Sequence, residues 1–138
     1  MIQRFHHICV VVDNIEQAMK EYVEVLDRPR AEIVEVKSQA VKACLIPVGD
    51  GEIELIQPTD PNSGVAKFLA SKGEAFHHVC FQVGNINQCL HTLEEKSVPL
   101  IDKQGRPGLA GMVGFIHPKA TKGVLVELAE PVKHQGVH

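Results

Sequence analysis

The sequence predicts an α+β fold built from two tandem strand–helix–strand–strand–strand modules. Two observations carry that prediction. First, the chain repeats itself: residues 5–26, FHHICVVVDNIEQAMKEYVEVL, match residues 76–97, FHHVCFQVGNINQCLHTLEEKS, at an offset of 71. Second, IELIQP at 53–58 matches VELAEP at 126–131 at an offset of 73, so a loop differs in length by two residues between the copies. Phe5, His6, His7, Cys9, Val12, Asn14, Ile15, Gln17 and Glu24 recur as Phe76, His77, His78, Cys80, Val83, Asn85, Ile86, Gln88 and Glu95. A unit of this size buries little apolar surface alone, so the two copies are expected to share a core.

The elements follow in chain order. Residues 5–12 are apolar and β-rich, which predicts a strand. Asp13 offers a helix N-cap with Glu16 as its capping-box partner. Ile15, Ala18, Met19, Tyr22, Val25 and Leu26 then follow at helical spacing, and Pro29 closes the segment. Strands are predicted at 31–37, 40–47 and 52–58, separated by Ser38-Gln39 and by the turn Gly49-Asp50-Gly51. A linking helix begins around Asn62-Ser63 and stops near Gly73. The second module has a strand at 76–83 and a helix at 85–97. Three strands follow near 98–102, 111–117 and 124–129, with a glycine-rich loop over 105–111. The modules therefore span about 1–62 and 74–131 of a single domain, with a linking helix at about 63–73 and a tail from 132 to 138 expected to fray.

Composition excludes several classes. The chain has 138 residues, 44% of them hydrophobic and 22% charged, which suits one globular domain rather than a disordered chain. A net charge of −3, no tryptophan, five phenylalanines and one tyrosine argue against a nucleic-acid-binding surface. No apolar run is long enough to span a membrane, and the first residues lack a signal peptide's apolar core, so the expected location is cytoplasmic. Cys9, Cys44, Cys80 and Cys89 form no CxxC pair and are expected to be reduced and mostly buried.

The repeat also singles out polar residues where a core face belongs. Alternation places His7 with Cys9 and Val11, and His78 with Cys80 and Gln82. Glu54 and Glu127 interrupt otherwise apolar strands, where an uncompensated carboxylate would be very costly. Two histidines and two glutamates, one of each per module, suit a borderline divalent cation such as Zn²⁺, Co²⁺, Ni²⁺ or Mn²⁺. Periodicity does not say which histidine of the pairs His6-His7 and His77-His78 faces inward. A histidine at a strand start or a strand glutamate taken singly is more often structural or solvent-facing; the joint duplication is what weighs against that reading.

The segments HHICVVVDNIEQAMKEY, IPVGDGEIELIQPTDPNSGVAKFL, GEAFHHVCFQVGNI and GFIHPKATKGVLVELAE resemble the vicinal oxygen chelate superfamily, and within it the methylmalonyl-CoA epimerases. The resemblance covers the chain to about Pro131. It implies that the paired modules form an open, curved mixed sheet around a metal site. It implies His7, Glu54, His78 and Glu127 as ligands of one divalent ion per chain, and Glu127 also as the base. The implied activity is epimerisation at C2 of methylmalonyl-CoA through a metal-stabilised enolate, in a homodimer acting on a small acyl-CoA. A carboxylate expected on the third strand of the first module is replaced by Lys42, which is an acid–base group, a substrate contact or a plain exposed lysine. Gln82, Gly111 of the loop GRPGLAG, and Lys119 are weaker substrate-binding candidates, each with an ordinary structural reading beside it. Lys122 is the same kind of candidate for a CoA phosphate. Two other functions fit the fold: a glyoxalase-I-type isomerase acting on a thiol hemithioacetal, and a non-catalytic small-molecule-binding protein. The first shares the ligand set; the segments PVGDGEIELIQPTDPNS and HPKATKGVLVEL favour the epimerase.

Overall fold

The computed structural model describes residues 1–132, and the predicted frayed tail lies almost wholly outside them. Its elements run in order β1 (Ile2–Val11), α1 (Ile15–Val25), β2 (Val34–Val36), β3 (Val41–Val48), β4 (Gly51–Pro58), α2 (Gly64–Lys72), β5 (Ala75–Val83), α3 (Ile86–Glu95), β6 (Arg106–Gly108), β7 (Gly111–Ile116) and β8 (Val126–Glu130). The architecture is α+β, with the βαβββ order appearing twice and α2 between the copies. The chain divides into two compact units, one of His7–His78 and the other of Met1–His6 with the chain from Val79 onward.

In the first unit the strands lie in the order β2-β3-β4-β1. β1 runs parallel to β4, with Cys9 opposite Glu54, while β3 is antiparallel to β4, with Leu45 opposite Glu54. Alternation then splits the layer into two faces. Val10, Val12, Cys44, Ile46, Ile53 and Leu55 face α1, which presents Ile15, Ala18, Met19 and Val23 at helical spacing. His7, Cys9, Glu52, Glu54 and Leu45 fall on the other face. β3 and β4 join through the tight turn at Gly49-Asp50, where Gly49 takes a left-handed φ of 59°.

The second unit repeats the scheme as β5-β8-β7-β6. β5 is parallel to β8, with Cys80 opposite Glu127, and β7 is antiparallel to β8, with Phe115 opposite Glu127. The helix-facing side packs Val83, Ile116, Val126 and Leu128 on Ile86, Cys89 and Leu90 of α3. On the reverse side Cys80, Val113 and Ala129 form a small buried cluster.

The structure corrects three local expectations. The N-cap of α1 is Asn14, not Asp13: its backbone is extended and its side chain accepts from Gln17 N. Asn85 caps α3 identically through Gln88 N, so the repeated pair that matters is Asn-x-x-Gln. The predicted strand at 98–102 contributes only one isolated bridge, Leu100 to Ile116. The strand β6 forms instead at Arg106–Gly108, inside the segment expected to be a loop, because Gly111 turns the chain back sharply enough for Gly108 to pair with it.

Candidate functional site

His7, Glu54 and His78 converge. His7 Nε2 lies 3.3 Å from His78 Nε2 and 3.4 Å from Glu54 Oε1, and His78 Nε2 lies 3.6 Å from the same oxygen. All three residues are buried, at 1%, 7% and 4% exposure in the order His7, Glu54, His78. The convergence has a simple local cause. In a parallel pair with Cys9 opposite Glu54, the residue two before Cys9 rises on the same face beside the glutamate. The histidine rings meet edge to face at 5.4 Å.

These donors fit a divalent cation. Ligands at about 2.1 Å from one metal ion are separated by roughly 3.4 Å in a tetrahedral arrangement and roughly 3.0 Å in an octahedral one. The observed spacings of 3.3, 3.4 and 3.6 Å approach the first value. Two imidazoles and a carboxylate are lone-pair donors suited to borderline ions, and a cation among them offsets the cost of a carboxylate removed from water.

His6 and His77 stand differently. His6 is buried at 9% exposure, and His77 is half-buried with its ring 4.8 Å from that of Phe68 on α2. His77 Nδ1 lies 2.8 Å from Nδ1 of His78, the ring nitrogen on the other side from Glu54.

Glu127 belongs to the second unit. It is buried at 6% exposure in β8, opposite Cys80, two residues after His78. The Glu54 register, opposite Cys9 two residues after His7, is thus duplicated.

Of the weaker candidates, Lys42 shares a unit with the three donors. Lys42 is exposed and pairs across to Glu35 and Gln57. One residue out of step with Leu45 and Ala43, it falls on the face of Cys44 and Ile46, opposite to Glu54. There it lines a cavity of about 500 Å³ with Asp13, Asn14, Glu16 and Gln57. Lys42 therefore does not face the three donors. Gln82 accepts from Arg4 Nη1 and donates to Gln3 Oε1, both at 2.9 Å, and so ties β5 to the chain's first residues. Gly111 has φ of 115°, and a side chain there would collide with the carbonyl of Glu130; its glycine is explained by the turn into β7. Lys119 lies in a 3₁₀ turn after β7 and is exposed, as is Lys122, which takes a left-handed φ of 60°.

Sequence reasoning passed over Gln57 and Glu130. Gln57 Oε1 accepts the Ile15 N–H at 2.8 Å, and Glu130 Oε1 accepts the Ile86 N–H at 2.9 Å. Each strand that carries a buried glutamate thus also carries, three residues further on, a side chain that satisfies the first N–H of its module's helix. The signal was present in the aligned IELIQP and VELAEP, as a polar residue at the same place in both.

A family model described as Glyoxalase/Bleomycin resistance protein/Dioxygenase superfamily matches residues 6–117. An uncharacterized protein of Bacillus subtilis (strain 168), YqjC, is 36% identical over 131 residues, covering 94% of each chain. The mitochondrial methylmalonyl-CoA epimerase of Bos taurus is 34% identical over 129 residues, covering 92% of this chain and 74% of its own. Among solved structures, methylmalonyl-CoA epimerase from Mycobacterium tuberculosis superposes with a TM-score of 0.89 at 27% identity, over 96% of this chain and 90% of its own.

Proposed function

The chain belongs to the glyoxalase/bleomycin resistance protein/dioxygenase superfamily, and from that membership we propose that it is an epimerase acting at C2 of methylmalonyl-CoA. The observation that carries the reading is the buried convergence of His7 Nε2, Glu54 Oε1 and His78 Nε2 within 3.6 Å of one another. Relatives named for this activity support the choice of substrate.

We assign His7, Glu54, His78 and Glu127 as the residues that hold one divalent cation, Co²⁺, Zn²⁺, Ni²⁺ or Mn²⁺; two carboxylates neutralise its charge. Glu127 enters through the repeat and its duplicated register. When bound, the cation supplies Lewis acidity that stabilises the negative charge developing on the carbonyl oxygen next to C2. The C2 proton is already weakened by a thioester on one side and a carboxylate on the other. A Glu127 oxygen takes that proton, and a proton delivered to the opposite face of C2 inverts the centre. This reading gives Lys42 no part in the proton transfer, since it lies on the face of β3 opposite to that of Glu54. Burial of the histidines and of Glu54 keeps water from competing for their lone pairs and for the proton. A homodimer acting in the cytoplasm is part of the same reading; a native mass of about 30 kDa, twice the chain's 15.1 kDa, is the expected result.

The test follows the C2 proton signal of methylmalonyl-CoA by NMR in D₂O, with Co²⁺-loaded and EDTA-stripped protein. Rapid loss of the signal only in the loaded sample is expected. Glu127→Gln, loaded with enough Co²⁺ to fill the site through His7, Glu54 and His78, should slow that loss by roughly 10²- to 10⁴-fold. A loaded protein that leaves the C2 proton in place and instead isomerises a thiol hemithioacetal would overturn the epimerase reading in favour of the glyoxalase-type one.

A further inference from the structure

We propose that His77 is a positioning residue for the cation site: its Nδ1 accepts the Nδ1 proton of His78 and so holds His78 in the tautomer whose Nε2 lone pair faces Glu54 and His7. The proposal rests on the metal reading above and assigns a role to a side chain outside the ligand set.

The argument is one of proton bookkeeping. A neutral imidazole carries one N–H, and a nitrogen that binds a cation must be the other one. His78 directs Nε2 at Glu54 and His7, at 3.6 and 3.3 Å. Ligation through Nε2 therefore requires the proton on Nδ1. That nitrogen lies 2.8 Å from His77 Nδ1, a full hydrogen-bond distance. Only one proton fits between the two nitrogens, so His77 is the acceptor and keeps its own proton on Nε2. The opposite arrangement would place the proton of His78 on Nε2, where the cation belongs.

The ring of His77 is itself held. Phe68 of α2 meets it edge to face at 4.8 Å, and the His78 ring meets it at 5.1 Å and 78°. Ligating histidines commonly give their second N–H to a carboxylate or carbonyl. A neutral imidazole acceptor orients His78 without adding a further negative charge to a site that already balances two carboxylates against one dication.

The test measures Co²⁺ binding by competition titration for the unmodified protein, His77→Leu and His77→Asn. The Asn side chain places an acceptor oxygen near the position of Nδ1; Leu removes the acceptor. His77→Leu is expected to weaken Co²⁺ binding by about tenfold or more, with His77→Asn within about threefold of the unmodified protein. In ¹⁵N-histidine spectra of the Zn²⁺-loaded unmodified protein, His78 should carry its proton on Nδ1 and His77 on Nε2, with a coupling between the two Nδ1 nuclei across the hydrogen bond. Equal weakening by Leu and Asn, no weakening by Leu, or a His78 proton on Nε2 in the loaded protein would each overturn the proposal. So would a second Co²⁺ per chain that vanishes in His77→Leu, which would make His77 a ligand. Failure of the unmodified protein to bind Co²⁺ at all would instead overturn the metal reading beneath it.

Discussion

A histidine within 3.6 Å of a buried glutamate is a polar neighbour to that carboxylate as well as a proposed ligand, and the two roles separate on substitution. His7→Ala or His78→Ala strips Glu54 of a neighbour inside an apolar layer, so each is expected to cost stability as well as the cation. A buried thiol behaves differently. Cys44 is 1% exposed, and its removal from water pushes the thiol from 9.0 up to about 11, with Glu54 adding to the rise. The unfolded chain would lose this proton near 9.0 while the folded chain keeps it to about 11. The stabilising contribution is therefore complete below 9.0 and is lost as pH rises through that interval. Native protein at pH 8 is expected to leave Cys44 unmodified by iodoacetamide over a time in which the urea-unfolded chain reacts fully, with the labelled site read by mass spectrometry.

The helices and turns depend on a few side-chain-to-backbone bonds that the two modules use in the same way. Asn14 and Asn85 cap the third N–H of α1 and α3, and Gln57 and Glu130 cap the first. Gln57→Ala and Glu130→Ala are each expected to cost about 1 kcal/mol in urea unfolding, since each orphans one N–H at a part-buried helix start. Gly111 is a sharper case. Its φ of 115° and the adjacent carbonyl of Glu130 leave no room for a side chain. Gly111→Ala should cost more than about 2 kcal/mol, and the β6–β7 amides should lose hydrogen-exchange protection before those of β3–β4. Equal loss in both hairpins would show that the glycine does not act locally.

A cation held by the proposed ligands His7, Glu54, His78 and Glu127 would bind the folded chain far more tightly than the unfolded one, and so should act as a stabilising ligand. Co²⁺ or Zn²⁺ at a thousand times its dissociation constant is expected to add about 4 kcal/mol, read as a higher midpoint in thermal unfolding and reversed by EDTA. His78→Ala should abolish that rise. None of the helices over the described residues is long and apolar enough to cross a membrane.

Local pattern determined a great deal about this protein. Strand and helix periods, the glycine punctuation and the repeat gave the βαβββ order and narrowed the candidates to the pairs His6-His7 and His77-His78 with Glu54 and Glu127, because period and repeat can be read from residue types along the chain. Other features depend on which atoms meet across strands far apart in sequence, and no local pattern encodes that. The β1–β4 register put His7 beside Glu54, where the sequence could not choose between His6 and His7. The β3–β4 register turned Lys42 to the far face, although its neighbours Cys44 and Leu45 read as one continuous apolar strand. A tight hairpin with β7 made a strand of Arg106–Gly108, three residues whose glycine and proline content reads locally as a loop. It was the same folding that brought Gln57 and Glu130 to the helix starts.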